Sequence, residues 1–482
     1  MAEINKDGTR RELTNLNVQM IALGGSIGTG LFLGSGSMIH RTGPSILFVY
    51  LIVGIFFFFM LRAIGEMMYS DPEQHTFVSF IYHHLGPSLG KFAEWSYWLE
   101  LTLAAMAELI AIATYVKLWL PSVPSWLIQV VVLAALTLIN LNVVKFFGNS
   151  ETILSGIKVV AIIFLIIVGI YMIATHHENP SGTHASSGNI FDGFSMFPNG
   201  FHEFINAFPM VFFAFQGMEF VGITTAETKN PREVLPKAIN QVIVRILLFY
   251  IGALFVIMAI TPWKTISEQG SPFVQIFSLA GIPAAASIIN FVVIVAACST
   301  LNSAIFSTGR HLYQLARESH SSKTASKFQS GRHLYQLARE SHSQKMKFLT
   351  KVSDRGIPVN SVLFSASVML FAPILSCFKA LSDAFSFVAS VSCDIYILVC
   401  ILTMIAHYRY RRSDAFLEEG FKLPAYKCTN PATIVFFIFI FLSLFLNRSS
   451  FGPALGAVLW FACFRLIQKI RNQPEDEIEI SE

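Results

Sequence analysis

The chain has 482 residues, of which 54% are apolar, 13% aromatic and only 13% charged, with a mean hydropathy of +0.58. Soluble domains carry roughly 25% charged residues, so the composition excludes an ordinary soluble enzyme or binding module and describes an all-α polytopic membrane protein. The formal net charge of +4 is too small to point to nucleic acid; the partner that the composition demands is the lipid bilayer.

Residues 1–15 read as a polar cytoplasmic tail, with no cleavable signal ahead of the first span. A window of about 19 residues then predicts 12 transmembrane helices, near 16–39, 44–68, 92–120, 124–144, 152–175, 203–226, 238–261, 281–308, 358–376, 382–406, 430–447 and 452–470. An even number of spans places both termini on one side. Of the Lys and Arg residues, only Arg41, Lys117, Lys264, Lys379 and Arg448 fall in outer loops, and Lys158 and Arg245 fall within spans. This bias predicts cytoplasmic termini in the cell membrane. No pattern specifies an oligomeric state.

The first segment is interrupted. Gly24-Gly25-Ser26-Ile27-Gly28-Thr29-Gly30 puts four glycines into seven positions of the apolar run Val18 to Ile39. Each glycine costs a helix up to about 1 kcal/mol relative to alanine. In hydrocarbon the backbone must satisfy its own hydrogen bonds, so such a break is tolerated only where it lines a cavity or is buried in protein. In the second span, Arg62 and Glu66 are spaced for an ion pair at its inner end. The third carries Glu100 and Glu108, eight residues apart and so roughly on one helix face. They read as pocket wall, as coupling groups, or as partners of Arg245. Lys158 sits about 9 Å deep in the fifth span at 1.5 Å per residue, shallow enough to snorkel to the inner surface.

The loop 176–200 contains no Lys or Arg, and its His176, His177 and His184 read as solvated rather than as metal ligands. The sixth segment carries a second break, Phe212-Phe213-Ala214-Phe215-Gln216-Gly217-Met218-Glu219-Phe220, with a glycine close to a mid-span carboxylate. A charge there is expensive, so Glu219 faces a cavity or a partner. Span eight offers Ser299, Thr300 and Ser303. Beyond it, Gly309 to Ser321 recurs identically at Gly331 to Ser343, a tandem duplication read as an extension of a basic cytoplasmic loop, 309–357. Asp394 in span ten receives no role. The six cysteines lack disulfide or zinc spacing and read as buried free thiols.

Interrupted segments in corresponding positions of two halves point to a transporter site. Backbone N–H groups at a helix N-terminus favour a carboxylate, and free carbonyls at a C-terminus favour an ammonium. Two such breaks facing each other suit a zwitterion with both charges on one carbon, an α-amino acid. The competing reading is that the glycines merely allow close helix packing.

The stretches IALGGSIGTGLFLGSG, RAIGEM, FFAFQGMEFVGITTAETKNP and NSAIFSTGRHLYQLA resemble the amino-acid permease group of the amino acid–polyamine–organocation superfamily, over residues 10 to about 470. TPWKTISEQGSPFVQIF and GIPAAASIINFVV are most similar to D-serine/D-alanine/glycine permeases and related serine/alanine permeases. The resemblance implies a 5+5 inverted repeat (the LeuT-like arrangement), with discontinuous helices 1 and 6. The repeats would span 16–175 and 203–406, separated by an outer loop 176–202 and followed by two C-terminal helices within 407–470 and an acidic tail 471–482. It implies that Gly28, Thr29 and Gly30 hold the substrate carboxylate. The carbonyls of Ser26, Ile27, Phe213 and Gln216 would accept from the ammonium. Phe213 would close over the substrate, and Gly217 would leave room for it. It further implies proton coupling through Lys158, standing where sodium-coupled relatives bind their ion near Ser299, Thr300 and Ser303, and through Glu219.

The expected function is therefore proton-coupled symport of small neutral amino acids such as alanine, serine and glycine, with no cofactor besides the proton gradient. The alternatives are a permease for larger, aromatic or cationic, amino acids, or an amino-acid exchanger. A sensor is disfavoured by the short tails and a channel by the lack of a filter sequence. An enzyme or ATP-driven pump is disfavoured by the lack of metal, nucleophile-elbow and P-loop motifs.

Overall fold

The computed structural model describes residues 3–4, 10–11, 13–74, 76–142, 144–179, 182–224, 227–267, 271–279, 285–326, 348–353, 356–378, 380–446 and 448–472. Apart from the paired two-residue strands Glu3–Ile4 and Arg10–Arg11, the regular elements are helices. Thr14 starts the first. Its hydroxyl accepts from the Asn17 N–H at 3.3 Å, while the Asn17 side chain accepts from the Thr14 N–H at 3.0 Å, forming a capping box. This helix, α1 (Asn15–Ser26), ends inside the glycine run; α2 (Thr29–Phe32) and α3 (Gly34–Thr42) follow the interruption. A turn at Gly43–Ser45 leads into α4 (Ile46–Ser70). Then come α5 (Ser79–Leu85), α6 (Pro87–Val116), α7 (Ser125–Asn140), α8 (Val144–Ala174) and a short α9 (Gly188–Phe191).

The sixth expected span is in pieces: α10 (Phe201–Asn206), α11 (Phe208–Phe215) and α12 (Phe220–Ile223). After it run α13 (Pro231–Ile260), α14 (Pro272–Leu279), α15 (Ala285–Ser326), α16 (Val359–Met369), α17 (Phe371–Phe378), α18 (Leu381–Tyr410), α19 (Tyr426–Ser443) and α20 (Arg448–Asn472). Among the described residues, ten helical stretches are long and apolar enough to cross a membrane. The first of these, Gly34–Ser70, joins the second half of the interrupted segment to the second expected span. The fourth expected span is the shorter apolar helix α7.

Helix α6 lies at the centre, packed along both α15 and α18, while α1 packs on α8 and α15, and α4 on α13. Without a hydrophobic drive between helices in lipid, this packing rests on close van der Waals contact and interhelical hydrogen bonds. Aromatic rings fill the space beside the breaks: Phe57 meets Phe212 at 4.8 Å, and Tyr250 meets Phe215 at 5.3 Å between centroids. By contrast, the α20 span is only 17% buried, so it lies outside this core.

Several expectations change here. Glu66 does not pair with Arg62. It meets the Arg411 Nε at 2.5 Å and His407 Nε2 at 3.1 Å, while Arg62 turns to Asn240 at 2.8 Å and stacks on Phe421. The i,i+4 spacing lost to a partner with a rigid fork of donors brought in from α18's C-terminal end. Arg245 reaches neither Glu100 nor Glu108 but donates to Gln19 at 2.9 Å. Cys377, Cys428 and Cys463 are exposed on the helix bundle, although all six cysteines are free. The first copy of the duplication is not loop at its start. Gly309 to Ala316 continue α15, and Arg310 and His311 are buried. Arg310 pairs with the buried Glu227 at 3.1 Å. The second copy, Gly331 to Ser343, as well as Lys379 and the tail 473–482, lie outside the described residues.

Candidate substrate and coupling site

The break in the first segment spans Ile27 and Gly28, and neither residue has a positive φ. What holds it comes from elsewhere. The Lys158 ammonium, fully buried on α8, donates to the Gly24 carbonyl and to the Ile27 carbonyl at 2.9 Å, and lies 3.2 Å from Thr300 Oγ1. Thr300 in turn donates to the Gly24 carbonyl at 3.0 Å. A cation thus caps the carbonyl end of α1, where the helix dipole favours it. Lys158 does not snorkel. On the other side of the break, Glu108 Oε1 accepts from the Thr29 N–H at 3.2 Å and from its hydroxyl at 3.0 Å. Gly28 has no room for a side chain: a Cβ there would lie 2.6 Å from Glu108 Oε1 and 2.8 Å from Thr300 Oγ1.

The second break is built locally. Gln216 is extended, and Gly217 has φ +97°, a conformation that only glycine adopts without strain. Glu219 folds back so that its Oε2 accepts from the Gly217 N–H at 2.9 Å, and Oε1 accepts from the Tyr97 hydroxyl at 3.3 Å. The two breaks touch. A Cβ on Gly217 would lie 2.5 Å from the Gly25 carbonyl oxygen, and one on Gly30 would lie 2.7 Å from the Ala214 Cα. The Tyr250 hydroxyl on α13 bridges them, at 2.7 Å from the Ser26 carbonyl and 2.8 Å from the Ala214 carbonyl.

Between the breaks lies a cavity of about 30 Å³, lined by their backbones together with Leu101, Ala104, Glu108, Phe213, Gln216 and Thr300. That is about the liquid volume of one water molecule. Phe213 faces Phe385 of α18 edge-on at 6.4 Å between centroids. A larger groove of about 600 Å³ between α8 and α15 is walled by residues such as Ile157, Phe164 and Ile288; it offers no polar group to a zwitterion and suits lipid chains.

The family profile for amino acid permeases matches residues 17–456. The chain belongs to the amino acid permease family. The permease is 45% identical to the DL-alanine permease of Lactococcus lactis over 97% of this chain and 98% of the relative. It is 42% identical to the serine permease of the same organism, over 98% of this chain and 100% of the relative. With the D-serine/D-alanine/glycine transporter of Escherichia coli K12 it shares 38% identity over 95% of this chain and 93% of the relative. Family and relatives are transporters, not enzymes.

Of the residues that the sequence singled out in the permease, Ser26 to Gly30, Phe213, Gln216, Gly217, Glu108 and Thr300 meet at or beside the cavity. Lys158 and Glu219 sit behind the two breaks. The carbonyls of Ser26, Ile27 and Phe213 already accept from Tyr250, Lys158 and the Gln216 N–H. Glu100 stands behind Gln216, accepting from its amide. Ser299 bonds to Glu151 rather than to Lys158, and the Ser303 hydroxyl is buried with no hydrogen-bond partner among the described residues. Asp394 is likewise buried with neither carboxylate oxygen hydrogen-bonded among the described residues.

Sequence reasoning passed over Glu151, Asn302 and Tyr250. Glu151, seven residues before Lys158 and so on the same helix face, is fully buried. It accepts from Ser155 at 3.0 Å, from Asn302 at 3.0 Å and from Ser299. It lies one residue before the expected fifth span, where a carboxylate has the interface as an alternative. A tyrosine deep in an apolar run was the available signal for Tyr250, because a buried phenol seeks a partner.

Proposed function

We propose that this permease is a proton-coupled symporter that imports small neutral amino acids such as alanine, serine and glycine across the cell membrane by alternating access. One observation carries the reading: two interrupted segments abut at Gly25 and Gly217 around a small cavity that presents backbone dipoles and a carboxylate. The amides of Gly28, Thr29 and Gly30 suit a carboxylate, with the first two now held by Ser26 and Glu108, and the carbonyl ends of the breaks suit an ammonium once their present donors move. The names of the relatives (DL-alanine permease, serine permease, D-serine/D-alanine/glycine transporter) support this cargo. Twelve spans with cytoplasmic termini, the five-plus-five repeat and the two additional C-terminal helices belong to the same proposal. In it the two interrupted segments rock against the remaining helices.

For coupling, the Lys158 ammonium stands in for a bound cation at the first break, and Glu219 ties the second. Glu108 joins them because its carboxylate holds the Thr29 donors that a substrate carboxylate would take. Two charged carboxylates cannot comfortably share those donors. A proton on Glu108 therefore eases substrate entry, and the proton and the amino acid travel together.

Larger cargo, or strict exchange, is the alternative. Leu101, Ala104 and the tight contact of Gly30 on Ala214 favour the small substrates. The test is uptake of radiolabelled alanine, serine and glycine into proteoliposomes with an imposed inward proton gradient, against a panel of unlabelled competitors. Accumulation that a protonophore collapses is expected. No gradient-driven accumulation of any of the three would sink the proposal, and competition by aromatic or cationic amino acids alone would favour the alternative.

A further inference from the structure

We infer that the side-chain amide of Gln216 recognises the substrate's own side chain, and that its oxygen selects a hydroxyl-bearing amino acid, serine, over alanine. The inference rests on the reading that the cavity between the breaks holds an amino acid. Gln216 is only 7% exposed and lines that cavity beside Leu101, Ala104 and Phe213.

Which end of the amide is left unbonded follows from counting protons. The Ser392 hydroxyl on α18 spends its one proton on the main-chain carbonyl of Glu100, at 3.0 Å. It can then only accept, so the group 3.2 Å away on Gln216 is the NH₂. The same NH₂ donates to the Glu100 carboxylate. Flipping the amide would set its oxygen against the lone pairs of Ser392, so Ser392 is a positioning residue that turns Oε1 away from itself, and Glu100 accepts from the NH₂ that Ser392 selects. That oxygen is buried and has no hydrogen-bond partner among the described residues.

A buried amide oxygen without a donor is costly, and an amino acid brings two kinds of donor to satisfy it. The ammonium has another acceptor in the same cavity: Glu108 Oε2, which is also unpartnered among the described residues. The substrate carboxylate takes the Thr29 donors that Glu108 Oε1 now holds, so the ammonium on the same carbon lies beside Oε2, which still accepts when the proton rides on Oε1. The neutral amide oxygen is left for the substrate side chain, in a lining to which Leu101, Ala104 and Phe213 add no polar side-chain group. Serine fills that place with an O–H donor; alanine leaves the oxygen unpaired.

The test is competition in proteoliposomes, reading the inhibition constants of unlabelled serine and alanine against labelled alanine in the wild type, in Gln216→Met and in Ser392→Ala. In Gln216→Met the serine-to-alanine ratio is expected to move about five- to tenfold against serine, the size of one net hydrogen bond, whatever loss the two substrates share. Ser392→Ala should move it in the same direction by a smaller factor, since the amide is then free to turn. An unchanged ratio in Gln216→Met overturns the inference and leaves Gln216 as packing between α11 and α18. If that variant does not fold, an unchanged ratio in Ser392→Ala does the same. Failure of the wild type to bind either amino acid overturns the transport reading instead, so the two failures are distinguishable.

Discussion

The break at Ile27 and Gly28 is held by Glu108, Lys158, Thr300 and Tyr250, side chains that reach it from α6, α8, α15 and α13. The break at Gln216 to Glu219 is shaped largely by its own residues, through the positive φ of Gly217 and the return of the Glu219 carboxylate to the Gly217 N–H. One interruption is therefore a tertiary construction and the other a local one. The tertiary one is tied by two ionisable groups, so a proton gained or lost there changes what holds the chain. The local one abuts the first, because Gly217 lies directly on the Gly25 carbonyl.

The largest effect should come from breaking the local side. Gly217→Val puts a branched residue at φ +97°, costing roughly 1–3 kcal/mol in backbone strain before its Cβ meets the Gly25 oxygen. Equilibrium binding of alanine should be lost; wild-type affinity in this variant would show that the breaks do not depend on their contact.

Lys158→Ala attacks the tertiary side. It leaves the Ile27 carbonyl without its Lys158 donor and the Gly24 carbonyl with Thr300 alone, at about 1–3 kcal/mol for a buried group left unsatisfied. Accumulation driven by a pH gradient should fall by roughly tenfold or more on that basis, while circular dichroism still reports the helical content of the wild type. Uptake with an unchanged pH dependence would remove Lys158 from coupling.

Tyr250→Phe sharpens the comparison, since it deletes the single hydroxyl shared by both breaks without altering packing. A net hydrogen bond is worth about 0.5–1.5 kcal/mol, so a two- to tenfold weakening of alanine binding is expected. No change would mean that the breaks are coupled through Gly25 and Gly217 alone.

Much of this arrangement was readable in the chain. Glycines crowded into an apolar run located the first break, and Gly217 close to Glu219 located the second, because hydrocarbon punishes both irregular backbone and charge. The same cost marked Glu219 as a group that faces a cavity or a partner and left Glu100 and Glu108 as pocket wall, coupling groups or ion-pair partners. Lys158 read as able to snorkel and is instead buried under the first break. Which partners they chose was not legible. Spacing assigned Glu66 to Arg62, and it went to Arg411; Arg245 was offered to Glu100 and Glu108, and it went to Gln19. Glu151 went unnoticed because a carboxylate near a span end has the interface as an alternative, and only packing decides which way it turns. The duplicated segment misled for the same reason. Its polarity read as loop, yet Arg310 is buried in the continuation of α15 against Glu227.

Taken alone, the sequence determined that the protein is a helical membrane transporter, where its helices are interrupted, and that Glu219 needed a cavity or a partner. These follow from transfer costs that act residue by residue along the chain. Only the tertiary structure decided that the two interruptions touch, that Lys158 caps the first while Glu108 sits on its amides, and that Ser392 turns the Gln216 oxygen away from itself. Those outcomes depend on directions and distances between helices far apart in sequence, and hydrogen bonds a few ångströms long carry no trace along the chain.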